Sequence, residues 1–224
     1  MRSVAVQGAV AYAPADVRAN FIRRVYGLFF LSALMTVASA AFCAQPAIAP
    51  TMLAAMPLLA IGTFVCILVL AFARQAAGLN VILFYLFSAL EGAIIGPALT
   101  LISQTAPGVP VEAAWITVSV FGGLSLYTLQ SGKDFSYLGG MLFVGLIGLL
   151  VAGLVMFFVH TAILYTCYCL FGILLFCGYV LYDTSLILYR LQPGDEVIGA
   201  ISLYLDFLNL FWLILNLLLS LRRD

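Results

Sequence analysis

The chain has 224 residues, of which 65% are hydrophobic and only 8% charged, with a net charge of zero. Its mean hydropathy is +1.20. A water-facing domain keeps roughly a quarter of its residues charged, so a soluble globular protein is excluded and an integral membrane protein is indicated; the neutral balance gives nucleic acid nothing to bind.

Residues 1–21 read as a short cytoplasmic N-terminal segment, and 22–224 as a single all-α transmembrane domain. Apolar runs predict seven spans, at 22–44, 52–73, 79–103, 111–130, 136–159, 162–190 and 198–221. Each holds about 20 residues or more, enough to cross a hydrocarbon core of about 30 Å at 1.5 Å per residue. The breaks carry turn chemistry, as at Gln45-Pro46, Pro107-Gly108, Ser131-Gly132 and Pro193-Gly194. The first run follows Arg23-Arg24 and ends in "ASAAFCAQPA", which has the look of a signal peptide with a cleavage site. It is too long for a signal core and more spans follow, so it is read as span one.

Loops on the cytoplasmic side of a membrane collect Lys and Arg. Arg2, Arg18, Arg23 and Arg24 lie before or at the start of span one, Arg74 follows span two, Lys133 span four and Arg190 span six. All share one side if the N-terminus is cytoplasmic. The opposite loops carry only Glu112 and His160, and the tail residues Arg222 and Arg223 break the pattern. His160 stands alone near the outer end of span five, with no nucleophile placed beside it, and reads as a boundary residue. The five cysteines, Cys43, Cys66, Cys167, Cys169 and Cys177, lie inside apolar runs and read as buried thiols. Cys167 and Cys169 point to different sides of a helix, so they do not form a metal site.

Span three contains "FSALEGAIIGPAL". Ser88, Gly92 and Gly96 recur every four residues, a small-residue face for close helix packing. Pro97 frees a carbonyl. Glu91 lies about 60° off that face and is a candidate for lining a cavity or pairing with another polar group.

The last two spans hold the main signal. Span six ends "CGYVLYDTSLILYR", and span seven reads "SLYLDFLNLFWLILNLLL". On a wheel of 100° per residue, Ser202, Asp206, Asn209, Asn216 and Ser220 share an arc of about 80°. That stripe is wet or protein-facing, and if the remaining apolar face is packed as well, the helix is central. Asp183 sits about 10 Å from its end of span six and Asp206 about 12 Å into span seven. Consecutive antiparallel helices therefore bring the two acids to one depth. A charged Asp in a membrane costs several kcal/mol unless it has a partner or a water cavity. Two carboxyls in contact share a proton. With the proton gone they form a doubly negative oxygen site, suited to a hard cation such as calcium. Asp195 and Glu196 suit the N-terminus of the last helix. Arg74 is either a snorkelling anchor or a counter-charge for Asp183 or Asp206.

"GYVLYDTSLI", a short loop, and "ISLYLDFLNLFWLILNLL" resemble the carboxy-terminal signature of the Bax inhibitor-1 family, the transmembrane Bax-inhibitor-motif proteins. "EGAIIGPAL" is similar to its third-helix motif and "GKDFSYLGG" to its loop into the fifth helix. The likeness runs from about Arg23 to the end, and the short N-terminus is that of a bacterial member. The resemblance implies seven helices, the last surrounded by the other six, in an inner membrane. It implies a pH-sensitive calcium leak in which Asp183 and Asp206 are sensor and metal site and Arg74, after "LAFAR", is the latch. Asn209, Asn216, Ser202 and Glu91 are the candidate polar lining. No tightly bound cofactor is expected; calcium is the transported ion, and the bilayer is the constant partner.

Two other functions are distinguishable. A non-transporting regulator of a membrane-anchored quality-control protease would use an exposed N-terminal segment, 1–20, and the loops. An intramembrane aspartyl protease would need Tyr-Asp on one helix and Gly-x-Gly-Asp on another. Tyr182-Asp183 matches the first half, but Leu205-Asp206 lacks the glycines, so no enzyme is expected. "SGKD" is no phosphate loop.

Overall fold

A computed structural model describes residues 9–73, 78–159 and 161–222. Among them there are helices and no strand, as a bilayer demands of a chain that must satisfy its backbone internally. In chain order the α-helices are α1 (Ala15–Cys43), α2 (Ala49–Ala54), α3 (Met56–Phe72), α4 (Leu79–Thr105), α5 (Val109–Ser131), α6 (Gly139–Val155), α7 (Ala162–Tyr189) and α8 (Glu196–Leu221). Short 3₁₀ turns lie at Val10–Tyr12 and Ser136–Leu138. Among the described residues six helices are long and apolar enough to cross a membrane, and α3 is a shorter apolar one. The protein is a seven-span helical membrane protein.

Two boundaries differ from the apolar pattern. The second run is broken between Ala54 and Met56, because Pro50 and Pro57 each open a helix. Proline fits the first turn, where its missing N–H is not needed, and disrupts an interior. Span one starts earlier than the apolar run, because Asp16 and Arg18 are tolerated in its exposed first turns. α5 ends at Gly132, whose φ of 65° is the left-handed conformation glycine adopts without strain.

The chain groups into two compact units. One takes the chain up to Asn20, Gly108–Pro193 and everything from Leu205; the other takes Phe21–Pro107 and Gly194–Tyr204. The last helix thus serves both. Its most apolar stretch is 61% buried against 11% for α6. α6 instead shows Phe143, Val144, Leu150 and Leu154 outward, a surface that only lipid solvates well.

In the second unit, α1 and α4 meet with almost no gap. A Cβ on Gly92 would strike the Thr36 carbonyl, and one on Gly96 the Ala40 carbonyl. The small-residue face read from the sequence is this contact. In the first unit, α7 packs on α6 through Gly178 against Leu142 and Gly145 against Leu175, and on α8 through Gly172 against Leu213.

The unusual tail has a local explanation. Arg222 pairs with Glu112 of α5 at 2.9 Å, and Ser220 shares a 2.9 Å hydrogen bond with Thr166 at the start of α7. The end of α8 is therefore held against α5 and α7, and its terminal positive charge meets an acid there. Arg223 lies outside the described residues.

In the described part of the N-terminal segment, Tyr12 and residues 14–20 are exposed, and two residues before them are not. Ala9 and Val10 are fully buried, and the Val10 N–H donates to the Leu191 carbonyl at 3.0 Å. Two small apolar side chains find cover over the end of α7 that water would not give them.

Candidate functional site: an acid pair inside the apolar interior

Asp183 on α7 and Asp206 on α8 hydrogen-bond to each other. The depth arithmetic expected this meeting. Gly172 lets Leu213 close in between the same two helices, and Asp183 lies eleven residues on, about 20° from Gly172 on the wheel. Asp206 is 3% exposed, and its Oδ2 has no hydrogen-bond partner among the described residues. Asp183 is half-buried. A hydrogen bond between two carboxyl groups needs one of them to hold a proton. Tyr179, one turn before Asp183, is within electrostatic reach of both acids, and Tyr182 is within reach of Asp183 and Arg190.

The loop between α5 and α6 is fastened beside this pair. The Phe135 N–H donates to Ser185 Oγ at 2.7 Å, and Ser185 Oγ donates to Asp134 Oδ1 at 3.2 Å. Asp134 also accepts the Ser136 N–H at 2.9 Å, and Arg190 donates to Ser136 Oγ at 3.1 Å. Ser185 is two residues past Asp183, so the "KDFS" loop fixes the end of the helix that carries the acid. Arg190 reads from the sequence only as a positive-inside charge, and Asp134 and Ser185 are not singled out by it. A hydroxyl in mid-helix beside an intramembrane acid was the available signal.

The other candidates distribute differently. Asn209 is exposed, and its amide donates to its own helix at the Leu205 carbonyl, 2.8 Å away. Asn216 does the same with Trp212 at 2.8 Å. Both amides are satisfied locally, so sharing a wheel arc with Asp206 does not place them in one polar cluster. Ser202 is half-buried on α8. Glu91 is half-buried on α4, within electrostatic reach of Tyr204. Tyr204 is fully buried, bonds to Thr36 Oγ1 at 2.6 Å and to Ser88, and is flanked edge-on by Phe84 and Phe87. Glu196 meets Arg24 at 3.7 Å. Arg74, the latch residue, lies outside the described residues, as does His160. No group of three or more His, Cys, Asp or Glu is assembled among the described residues.

Fold and site together define a polytopic helical membrane protein in which an acid of α7 meets an acid of α8. The chain belongs to the Bax inhibitor-1 family. The family model described as "Inhibitor of apoptosis-promoting Bax1" matches residues 18–223. The chain is similar to "Protein lifeguard 4" of Mus musculus, 34% identical over 218 residues, covering 96% of this chain and 90% of that protein. It is 43% identical over 146 residues to "Bax inhibitor 1" of Schizosaccharomyces pombe, covering 65% of this chain and 54% of that one. It is 30% identical over 214 residues to "Inner membrane protein YbhL" of Escherichia coli, covering 88% and 90%.

Proposed function

We propose that the protein is a pH-sensitive, calcium-permeable leak across a bacterial inner membrane, with its N-terminus cytoplasmic, gated by Asp183 and Asp206. The observation that carries this reading is the hydrogen bond between a buried carboxyl, Asp206, and a half-buried one, Asp183, with one oxygen of Asp206 unpaired among the described residues. With the proton in place the pair is singly charged and closed on itself. When the proton leaves, two negative groups repel and need a counter-ion. A hard divalent cation supplies one, because it prefers carboxylate oxygen. The sign follows: acid closes the path, and rising pH opens it. The arginines and lysine at one end support the orientation by the positive-inside bias, and a bacterial relative named as an inner membrane protein supports the location.

Calcium entry into proteoliposomes between pH 6 and 8 tests the proposal. Wild type is expected to leak more as pH rises, and Asp206→Asn to lose that dependence. Equal flux with an equal pH response in both would remove the sensor.

A further inference from the structure

The first residues of a chain are poorly ordered unless something ties them down. Here the tie is specific. Ala9 and Val10 are 1% and 0% exposed, while Tyr12 and residues 14–20 are exposed. Both backbone groups of Val10 are paired: its N–H donates to the Leu191 carbonyl at 3.0 Å, and its carbonyl accepts the Ala13 N–H at 3.1 Å. The Tyr12 N–H donates to the Ala9 carbonyl at 3.0 Å, which closes the turn. Residues 9–13 therefore lie as a strap over the end of α7.

The strap meets α7 where the Asp134 loop does. Tyr189, the last residue of α7, is within electrostatic reach of Tyr12 and Arg18 on the N-terminal side and of Asp134 on the loop side. Asp134 accepts from Ser185, and Arg190 donates to Ser136. The end of α7 is thus gripped by two segments distant in sequence, and Asp183 lies about 9 Å before Tyr189 along the axis. The strap acts on the helix that carries that acid. What seats it is small: two apolar side chains and, among the described residues, one backbone hydrogen bond outside the turn itself. A contact of that size opens locally, without unfolding a helix.

We propose that residues 9–13 are an autoinhibitory strap. Seated, they fix the end of α7 and keep Asp183 against Asp206. Lifted, they free that end, the two acids separate, and the path opens. This rests on the leak reading above and adds a control that acts through the cytoplasmic end of one helix.

Calcium entry into proteoliposomes at pH 6, where wild type leaks least, tests the strap in the full chain. Val10→Asp puts a charge into a closed apolar seat. Val10→Pro keeps an apolar side chain and removes the N–H that Leu191 accepts. Ala9 is already extended, at φ −62° and ψ 146°, as a residue before proline prefers, so the turn itself is spared. Each variant is expected to raise the leak at pH 6 by about threefold or more and to quicken amide exchange in the last turn of α7 about tenfold. Val10→Ile, which keeps the seat filled, is expected to match wild type in both. The strap is overturned if Val10→Asp and Val10→Pro leak as wild type does at pH 6 while wild type still opens toward pH 8. It is overturned too if their extra leak is matched by release of an entrapped dye, which marks a damaged protein. A wild type that passes no calcium at either pH removes the leak reading, and the strap with it.

Discussion

Each compact unit holds a polar cluster in its apolar interior, and the two are satisfied differently. In the unit of α1 and α4, Tyr204 closes on Thr36 and Ser88, Thr36 also reaches the Ser88 carbonyl at 3.0 Å, and Ser39 reaches the Ala89 carbonyl at 2.7 Å. In the unit of α5, α6 and α7, Asp206, Ser125 and Thr184 retain bare oxygens. Packing divides the same way. Gly92 and Gly96 are seated on backbone carbonyls, which do not yield, whereas Gly145, Gly172 and Gly178 face leucine methyls, which do. Buried polar groups that pair among themselves rigidify an interior. Those left open mark where something arrives or moves.

The largest expected effect breaks the rigid half. Gly96→Leu places a Cβ into the Ala40 carbonyl, so little or no monodisperse protein should survive detergent extraction. Gly178→Ala meets only the Leu142 methyl at 2.7 Å and should cost about 1–3 kcal/mol, the usual range for overpacking. Comparable losses from the two substitutions would erase the distinction between the units.

Next comes a crossed pair on one helix. Tyr204→Phe removes a hydrogen bond but leaves Thr36 bonded to Ser32 and Ser88. It should cost about 1 kcal/mol, a fall of about 2–4 °C in Tm, with the pH response of calcium flux intact. Asp206→Asn should do the reverse, abolishing the pH response with Tm held to within about 2 °C, because the amide can still donate to Asp183. Thermal melts and flux on the same preparations decide it. A Tyr204→Phe protein with altered pH dependence would mean that both clusters gate.

Smaller again is the loop clamp. Ser185→Ala strands the Phe135 N–H and one Asp134 bond. A loss of about 1–3 kcal/mol is expected from a donor left unsatisfied, seen as faster amide exchange across the loop than in wild type. Unchanged exchange would show that Arg190 and Ser136 hold the loop by themselves.

Much of the fold and of the acid pair was legible in the sequence. Seven apolar runs gave the spans, because length and hydropathy are what a bilayer selects. The depth of Asp183 and Asp206 was arithmetic on a regular helix. The Ser88, Gly92 and Gly96 spacing announced close packing. What escaped was partner choice. Asn209 and Asn216 shared a wheel arc with Asp206 yet bond their own backbone, and angular position does not distinguish those outcomes. Tyr204 read as one more apolar residue, although its hydroxyl organises α1, α4 and α8. Hydroxyls such as Ser125 and Thr184 become informative only when every other hydroxyl's partner is known.

The smallest effect concerns the end of the first unit away from the clamp. Arg222 and Glu112 are each about half exposed, at 49% and 48%, so solvent and salt screen their attraction. Exposed pairs contribute about 0–1 kcal/mol, and Glu112→Gln should lower Tm by no more than about 4 °C, less in high salt. Its interest is topological. Two positive charges after the last span oppose the positive-inside bias, and Glu112 offsets one of them. Cysteine labelling of residue 224 from outside intact cells should stay strong in the otherwise unchanged protein, as seven crossings require. Labelling only after lysis would place the tail inside and break the seven-span topology.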